Sequence, residues 1–187
     1  MLDLSELLKT SGLPAPGKNV GFTFVEHGGY EVVLYRTEAG VGAFSRGEGD
    51  PRFERLEVGF PADCEIAELV PAIGSSHVAF MARGPSRRSG SPIVGRDTWV
   101  RVVDLVSRES YELLGDPDAP KWVVKLIGPA SNGFFAVTLE MVETIKDGRT
   151  HFIARYQLIK VSLPSFNIDE LNDRIGALWA SANQSRG

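Results

Sequence analysis

Apolar residues in this chain fall in short runs of β-prone composition, broken by glycine, proline and small polar residues. Such runs bounded by turn formers are the mark of strands. Val20-Gly21-Phe22-Thr23-Phe24-Val25-Glu26 passes through His27-Gly28-Gly29 into Tyr30-Glu31-Val32-Val33-Leu34-Tyr35-Arg36. The two glycines can take the positive φ that a tight hairpin turn needs. Residues 99–105 turn at 106–109 into 110–114, and residues 134–145 reach Lys146-Asp147-Gly148-Arg149 before 150–161 run back. Asp-Gly between two long β-prone runs predicts a hairpin. About eleven strands on short links make an antiparallel meander, with no strand–helix alternation to suggest a parallel sheet.

Helical spacing is confined to the ends. Residues 2–9 predict a short helix, broken by Ser11-Gly12-Leu13-Pro14-Ala15-Pro16-Gly17. Toward the C-terminus Asn167 is a capping residue, and Glu170 follows three positions later where a capping-box acid belongs. Ile168, Leu171, Ile175, Leu178 and Trp179 then share one face, which predicts an amphipathic helix over 168–180. Its stripe either packs on the chain's own sheet or forms an oligomer interface through Leu171, Ile175, Leu178 and Trp179.

The chain also repeats. At an offset of 57, residues 65–80 fall on residues 122–137, both reading as strand, small polar turn, strand. Val102-Val103-Asp104-Leu105 falls on Leu158-Ile159-Lys160-Val161, and Ser110-Tyr111-Glu112-Leu113 on Ser165-Phe166-Asn167-Ile168. A fainter copy lays residues 29–36 over 76–83. Each unit reads as up to four consecutive antiparallel strands, at about 19–60, 64–115 and 121–168, within a single domain of 1–187. Over about residues 19–168 the chain resembles β-propeller blade repeats, at the level of fold alone, without the His and Trp-Asp signatures of the most regular propellers. The resemblance implies a mainly β fold of about three blade-like sheets. Closed propellers have about four to eight blades, so three imply a partial propeller or one completed by a second copy. The alternative is a curled antiparallel sheet or barrel packed on the C-terminal helix.

Composition narrows the function little. The 187 residues are 43% hydrophobic and 24% charged with a net charge of −4, ordinary for a globular domain and unlike a nucleic-acid binder. The single cysteine, Cys64, can make no internal disulfide, and the acidic N-terminal stretch lacks the pattern of a signal peptide. A cytoplasmic location is the expectation. His27, His77 and His151 stand apart from one another and from Cys64, so no metal or cofactor is read, and structural roles are expected, His27 solvated in its turn. Glu140 and Glu143 belong on opposite faces of one strand, poorly placed for joint acid–base work. Gly47-Glu48-Gly49-Asp50 reads as a loop between strands.

One segment stands out. Arg83-Gly84-Pro85-Ser86-Arg87-Arg88-Ser89-Gly90-Ser91-Pro92-Ile93-Val94-Gly95-Arg96 carries Arg83, Arg87, Arg88 and Arg96 with no acid, and is expected at the same end as the turn bearing Asp116 and Asp118. These six residues are the candidate binding set, for an anionic ligand or a protein partner. No catalytic residues are identified. The expected function is a non-catalytic protein-interaction or ligand-binding module that self-associates, with nucleic acid and membranes disfavoured as partners. The alternative is a hydrolase-type enzyme whose site is assembled from distant strands, using carboxylates with His77 or His151.

Overall fold

The computed structural model describes residues 21–37, 40–60, 64–85, 96–113 and 121–171. Among them are twelve strands, grouped in chain order by fours. The first sheet is β1 (Gly21–His27), β2 (Tyr30–Thr37), β3 (Gly40–Gly47) and β4 (Glu54–Leu56). The second is β5 (Glu65–Pro71), β6 (His77–Pro85), β7 (Arg96–Asp104) and β8 (Ser110–Leu113). In the third, β10 (Gly133–Lys146), β11 (Arg149–Ser162) and β12 (Asn167–Glu170) pair in order, and β9 (Lys121–Ala130) runs beside β10. Every strand pair in the recorded registers is antiparallel. The chain is mainly β, in three blade-like sheets, and does not close into a barrel.

Turn chemistry follows the sequence. Gly28 (φ 60°) and Gly29 (φ 80°) join β1 to β2, and Asp147 (φ 53°) and Gly148 (φ 71°) join β10 to β11. Two successive positive φ values give the turn whose twist suits a two-residue hairpin. The C-terminal end departs from expectation. Asn167–Glu170 is not the first turn of a helix but strand β12, with Val161 opposite Ile168 and Ile159 opposite Glu170. Leu171 N–H continues the ladder by donating to the Leu158 carbonyl at 2.9 Å. Pairing with a formed neighbour satisfies backbone groups that a local cap would only partly satisfy, so the strand wins. The rest of the expected helix, with Ile175, Leu178 and Trp179, lies outside the described residues, as does the helix expected at 2–9.

The sheets stack face to face. Val32, Leu34, Ala43 and Leu56 of the first pack on Val78, Phe80, Val103 and Leu105 of the second. The opposite face of the second, with Ala79, Met81, Val100, Val102 and Leu113, packs on Phe134, Ala136, Ile159 and Val161 of the third. The second sheet is therefore covered on both sides. Its strand β6 shows this most directly, because Val78, Ala79, Phe80, Met81 and Ala82 are all 0% exposed. A continuous apolar run is what a strand buried on both faces requires.

The packing also corrects the repeat. Phe134 and Ala136 face the preceding sheet, as Val78 and Phe80 do. The overlay at 57 instead sets Val78 on Phe135 and Phe80 on Val137, one position too late. A one-residue slip exchanges the two faces of a strand. The cause is the first turn of each unit. Ala72 N–H donates to His77 O across a longer loop in the second sheet, whereas only Ser131 and Asn132 separate β9 from β10.

A bulge on β5 joins the second sheet to the third. Ile66 is opposite Ala82 and Glu68 opposite Met81, so Ala67 is the extra residue. Without it, Ile66 and Glu68 would share a face. With it, Ile66 packs toward the first sheet and Glu68 turns toward the third. There Glu68 accepts from the Leu126 N–H at 2.6 Å and pairs with Arg83 at 3.1 Å, while Arg83 also reaches the Val124 carbonyl at 3.5 Å. The Thr98 hydroxyl donates to the Val123 carbonyl. Backbone groups of β9 are thus met by side chains of the second sheet. Phe80→Ala empties the centre of the first interface and should cost about 3–5 kcal/mol. Denaturant unfolding should show a lower midpoint for that variant.

Candidate functional site

In each sheet the first-to-second and third-to-fourth turns lie at one end, and neighbouring sheets are tied together there. His27 Nε2 donates to the Ser75 carbonyl at 2.6 Å, linking the first turn of one sheet to the first turn of the next. The expectation of a solvated His27 is corrected by this contact, since the ring is half-buried. Ile73 bridges Gly133, and a side chain at Gly74 (φ 78°) would press on Asn132 Oδ1 at 2.6 Å. Arg108, in the turn after β7, pairs with Glu54 and donates to the Arg55 carbonyl at 3.1 Å in β4.

Asp104 organises the β7–β8 turn. It accepts from Ser76 Oγ at 2.5 Å, Val106 N–H at 3.1 Å and Ser107 Oγ at 3.1 Å. Burial pushes its carboxyl pKa up, but these hydrogen bonds and nearby His77 outweigh that, and the net shift is below the usual value. Ser76, His77 and Asp104 gather here, yet not in relay order. Ser76 donates directly to Asp104, and the buried His77 ring faces the edge of Phe166 at 6.4 Å. His77 Nδ1 has no hydrogen-bond partner among the described residues. A nucleophile needs its base between itself and the acid.

Among the described residues, open space at this end lies against the first sheet. Between the β1–β2 turn and the β3–β4 loop lies a depression of about 640 Å³, bordered by Glu26, Gly29, Glu48 and Gly49. A second, of about 370 Å³, adjoins it toward Arg52, Leu105 and Arg108. Tyr30, Arg46, Gly47 and Asp50 line both. Arg46 is committed on each side, to Glu31 by an ion pair and to the face of Phe53 at 4.7 Å. Asp50 accepts from Gly47 N–H at 3.0 Å, and Glu48 N–H donates to Gly29 O at 2.8 Å. The first of these bonds shapes the β3–β4 loop and the second ties it to the β1–β2 turn, with Tyr30 lining the space beside them.

The residues singled out from the sequence fall elsewhere. Arg83 pairs with Glu68 at 3.1 Å and its side chain stays partly exposed. Arg96 begins β7 opposite Pro85, so residues 86–95 connect two adjacent strand ends. Arg87, Arg88, Asp116 and Asp118 lie outside the described residues. Leu171 closes the β11–β12 ladder. His151 is exposed on β11, and Cys64 is buried. Glu140 and Glu143 oppose Arg155 and Phe152, on opposite faces as expected. Tyr30, Arg46 and Asp50 were not singled out. The glycine-bearing loop at 47–50 was the only local signal, and nothing in sequence spacing pairs it with the turn at 28–29.

Among the described residues no group of three or more His, Cys, Asp or Glu could hold a metal, and no helix is long and apolar enough to cross a membrane. Compared with known proteins, the chain matches no family model, no curated protein and no solved structure at a significant level.

The stability that Asp104 contributes is present above the unfolded carboxylate value and is lost as pH falls through the lower folded value. Asp104→Asn should lower stability near neutral pH by roughly 1–3 kcal/mol. It should also flatten the acid limb of a melting-temperature profile below about pH 4.

Proposed function

We propose that this chain is a non-catalytic interaction module of β-propeller type, self-associating, whose partner contacts are made by loops at the ends of the stacked sheets. The observation that carries the reading is the double depression around Tyr30 and Asp50. It is open, formed by loops, and shaped by bonds that fix those loops. Loops on a rigid scaffold are the common seat of recognition. The arginine segment 83–96, with Arg87 and Arg88, is the proposed contact for an anionic partner at the opposite end. Its two ends leave from strands paired at Pro85 and Arg96, so any such contact starts from a fixed base.

Differential capture tests the reading. A partner retained by the native chain should be lost by Tyr30→Ala/Asp50→Arg or by Arg87→Glu/Arg88→Glu, and kept by the remote Lys125→Glu. An anchoring residue at such a contact is worth about 2 kcal/mol, so the loss should be about thirtyfold in affinity. A partner held equally by every variant, or a chemical turnover lost with His77→Gln, would overturn the proposal.

A further inference from the structure

The third sheet outruns its neighbours at one end. Its central strands, β10 and β11, hold fourteen residue pairs where β6 and β7 hold nine. The extra length, ending at Lys146 and Arg149, carries the hairpin about 17 Å further at the usual rise per residue. This arm stands at the end from which the arginine segment also leaves, because both join a second strand to a third. Pairing on the arm's outer side stops early. β12 meets β11 from Ser162 to Ile159, and beyond it Leu171 N–H donates to the Leu158 carbonyl. Every residue from Arg149 to Tyr156 is exposed. Phe152 is 53% and Ile153 54% exposed, on opposite faces of the ribbon, and Ile145 beside them is 77% exposed. A two-stranded ribbon with apolar residues on both faces gains from a third strand.

Register shows what the edge offers. In an antiparallel ladder the N–H and C=O of one residue point to the same side, and successive residues alternate. Leu158 points toward β12, so Thr150, Phe152 and Ala154 turn their backbone groups outward, while His151, Ile153 and Arg155 turn theirs toward β10. The side chains set the chemistry. Arg149 and Arg155 share the face of Ile153, and Phe152 shares the other with Thr150 and Ala154. Arg155 has Glu140 opposite, but Arg149 has Lys146. Neither Lys146 nor Arg149 forms an ion pair among the described residues. Like charges directly opposite each other are unfavourable.

We infer that the outer edge of β11 over residues 149–155 takes an extended strand of a protein partner, in which carboxylates alternate with apolar residues. The inference rests on the interaction-module reading above and gives its cationic end a mode of contact. Main-chain bonds at Thr150, Phe152 and Ala154 supply affinity by adding a strand to the sheet. Carboxylates on one face of that strand meet Arg149 and Arg155, and apolar side chains on the other cover Phe152. A second copy pairing through the same edge brings the same arginines and no carboxylate to that face, which favours a different chain as the partner.

A short synthetic peptide alternating valine and glutamate tests this, beside a lysine-for-glutamate peptide. Binding to the full chain is read by fluorescence anisotropy and its place by amide hydrogen exchange. The glutamate peptide should bind, more weakly as salt rises, and slow exchange at Thr150, Phe152 and Ala154 while leaving His151 and Ile153 unchanged. Arg149→Glu should weaken it by about tenfold. Ala154→Pro removes an outward donor, a change that edge strands tolerate, and should weaken binding by about as much while the melting temperature shows a folded chain. Equal binding of the lysine peptide, indifference to Ala154→Pro, or no slowing at the edge overturns the inference. So does slow exchange at these amides in the free chain that is lost on ending the chain at Leu171 or on dilution to a monomer, because the edge is then filled by residues 172–187 or by a second copy. Failure here with a partner still lost through Tyr30→Ala/Asp50→Arg leaves the interaction reading standing, so the two failures are distinguishable.

Discussion

Burial of the second sheet on both faces is the constraint on which the rest depends. A sheet with one wet face can alternate apolar and polar residues, but a sheet between two others cannot. From Val78 to Ala82 every side chain must be apolar and must also fit the volume left by a neighbour. Phe80 fills the space over Val32 and Leu34, while Ala79, on the other face, leaves room for the ring of Phe134. Large against small across each interface is how close packing is reached without strain. The outer faces of the first and third sheets mix apolar with polar residues, Phe24 with Glu26 and Phe135 with Lys160.

Polar groups at the interfaces follow from the same constraint. A carboxylate between sheets is tolerable only when its partners are present. Glu68 meets this with the Leu126 amide and the Arg83 guanidinium, and the bulge at Ala67 is what aims it there. This bears on how arginines are read from sequence. Arg83 belongs by composition to a cationic segment, but by register it is opposite Glu65 on the ladder beside a bulge, and it pairs inward. Its charge is used in joining sheets.

Strands and hairpins were legible because their signals are local. Gly28-Gly29 and Asp147-Gly148 name their turns through backbone freedom alone. The repeat was legible in order but not in face. Turns of unequal length between β5 and β6 and between β9 and β10 move the match by one residue, and only packing reveals which side chains face inward. At Asn167 two local readings competed, a capped helix and the last strand of a unit. The repeat had already placed Asn167 on the strand ending at Leu113, and pairing with the formed strand β11 decided the matter. The cleft was hidden for the reason that usually hides binding sites. Tyr30 and Asp50 come from different hairpins, and no spacing rule brings them together.

Division of labour within the fold follows from these points. Faces of a stacked sheet are occupied by their neighbours, so they can carry little chemistry of their own. Backbone groups of β9 are met in part by side chains such as Glu68 and Thr98. What remains free to vary is the set of turns at the ends. At one end His27 and Arg108 tie turns across sheets, and Ser76 and Asp104 tie two turns of the second sheet, which makes that end stiff. Stiffness there has a consequence for recognition, since a cleft whose loops are already fixed loses less entropy when it is filled. The loops around Tyr30 are fixed by their own bonds, Glu48 to Gly29 and Asp50 to Gly47, beside an end that the contacts between sheets hold stiff.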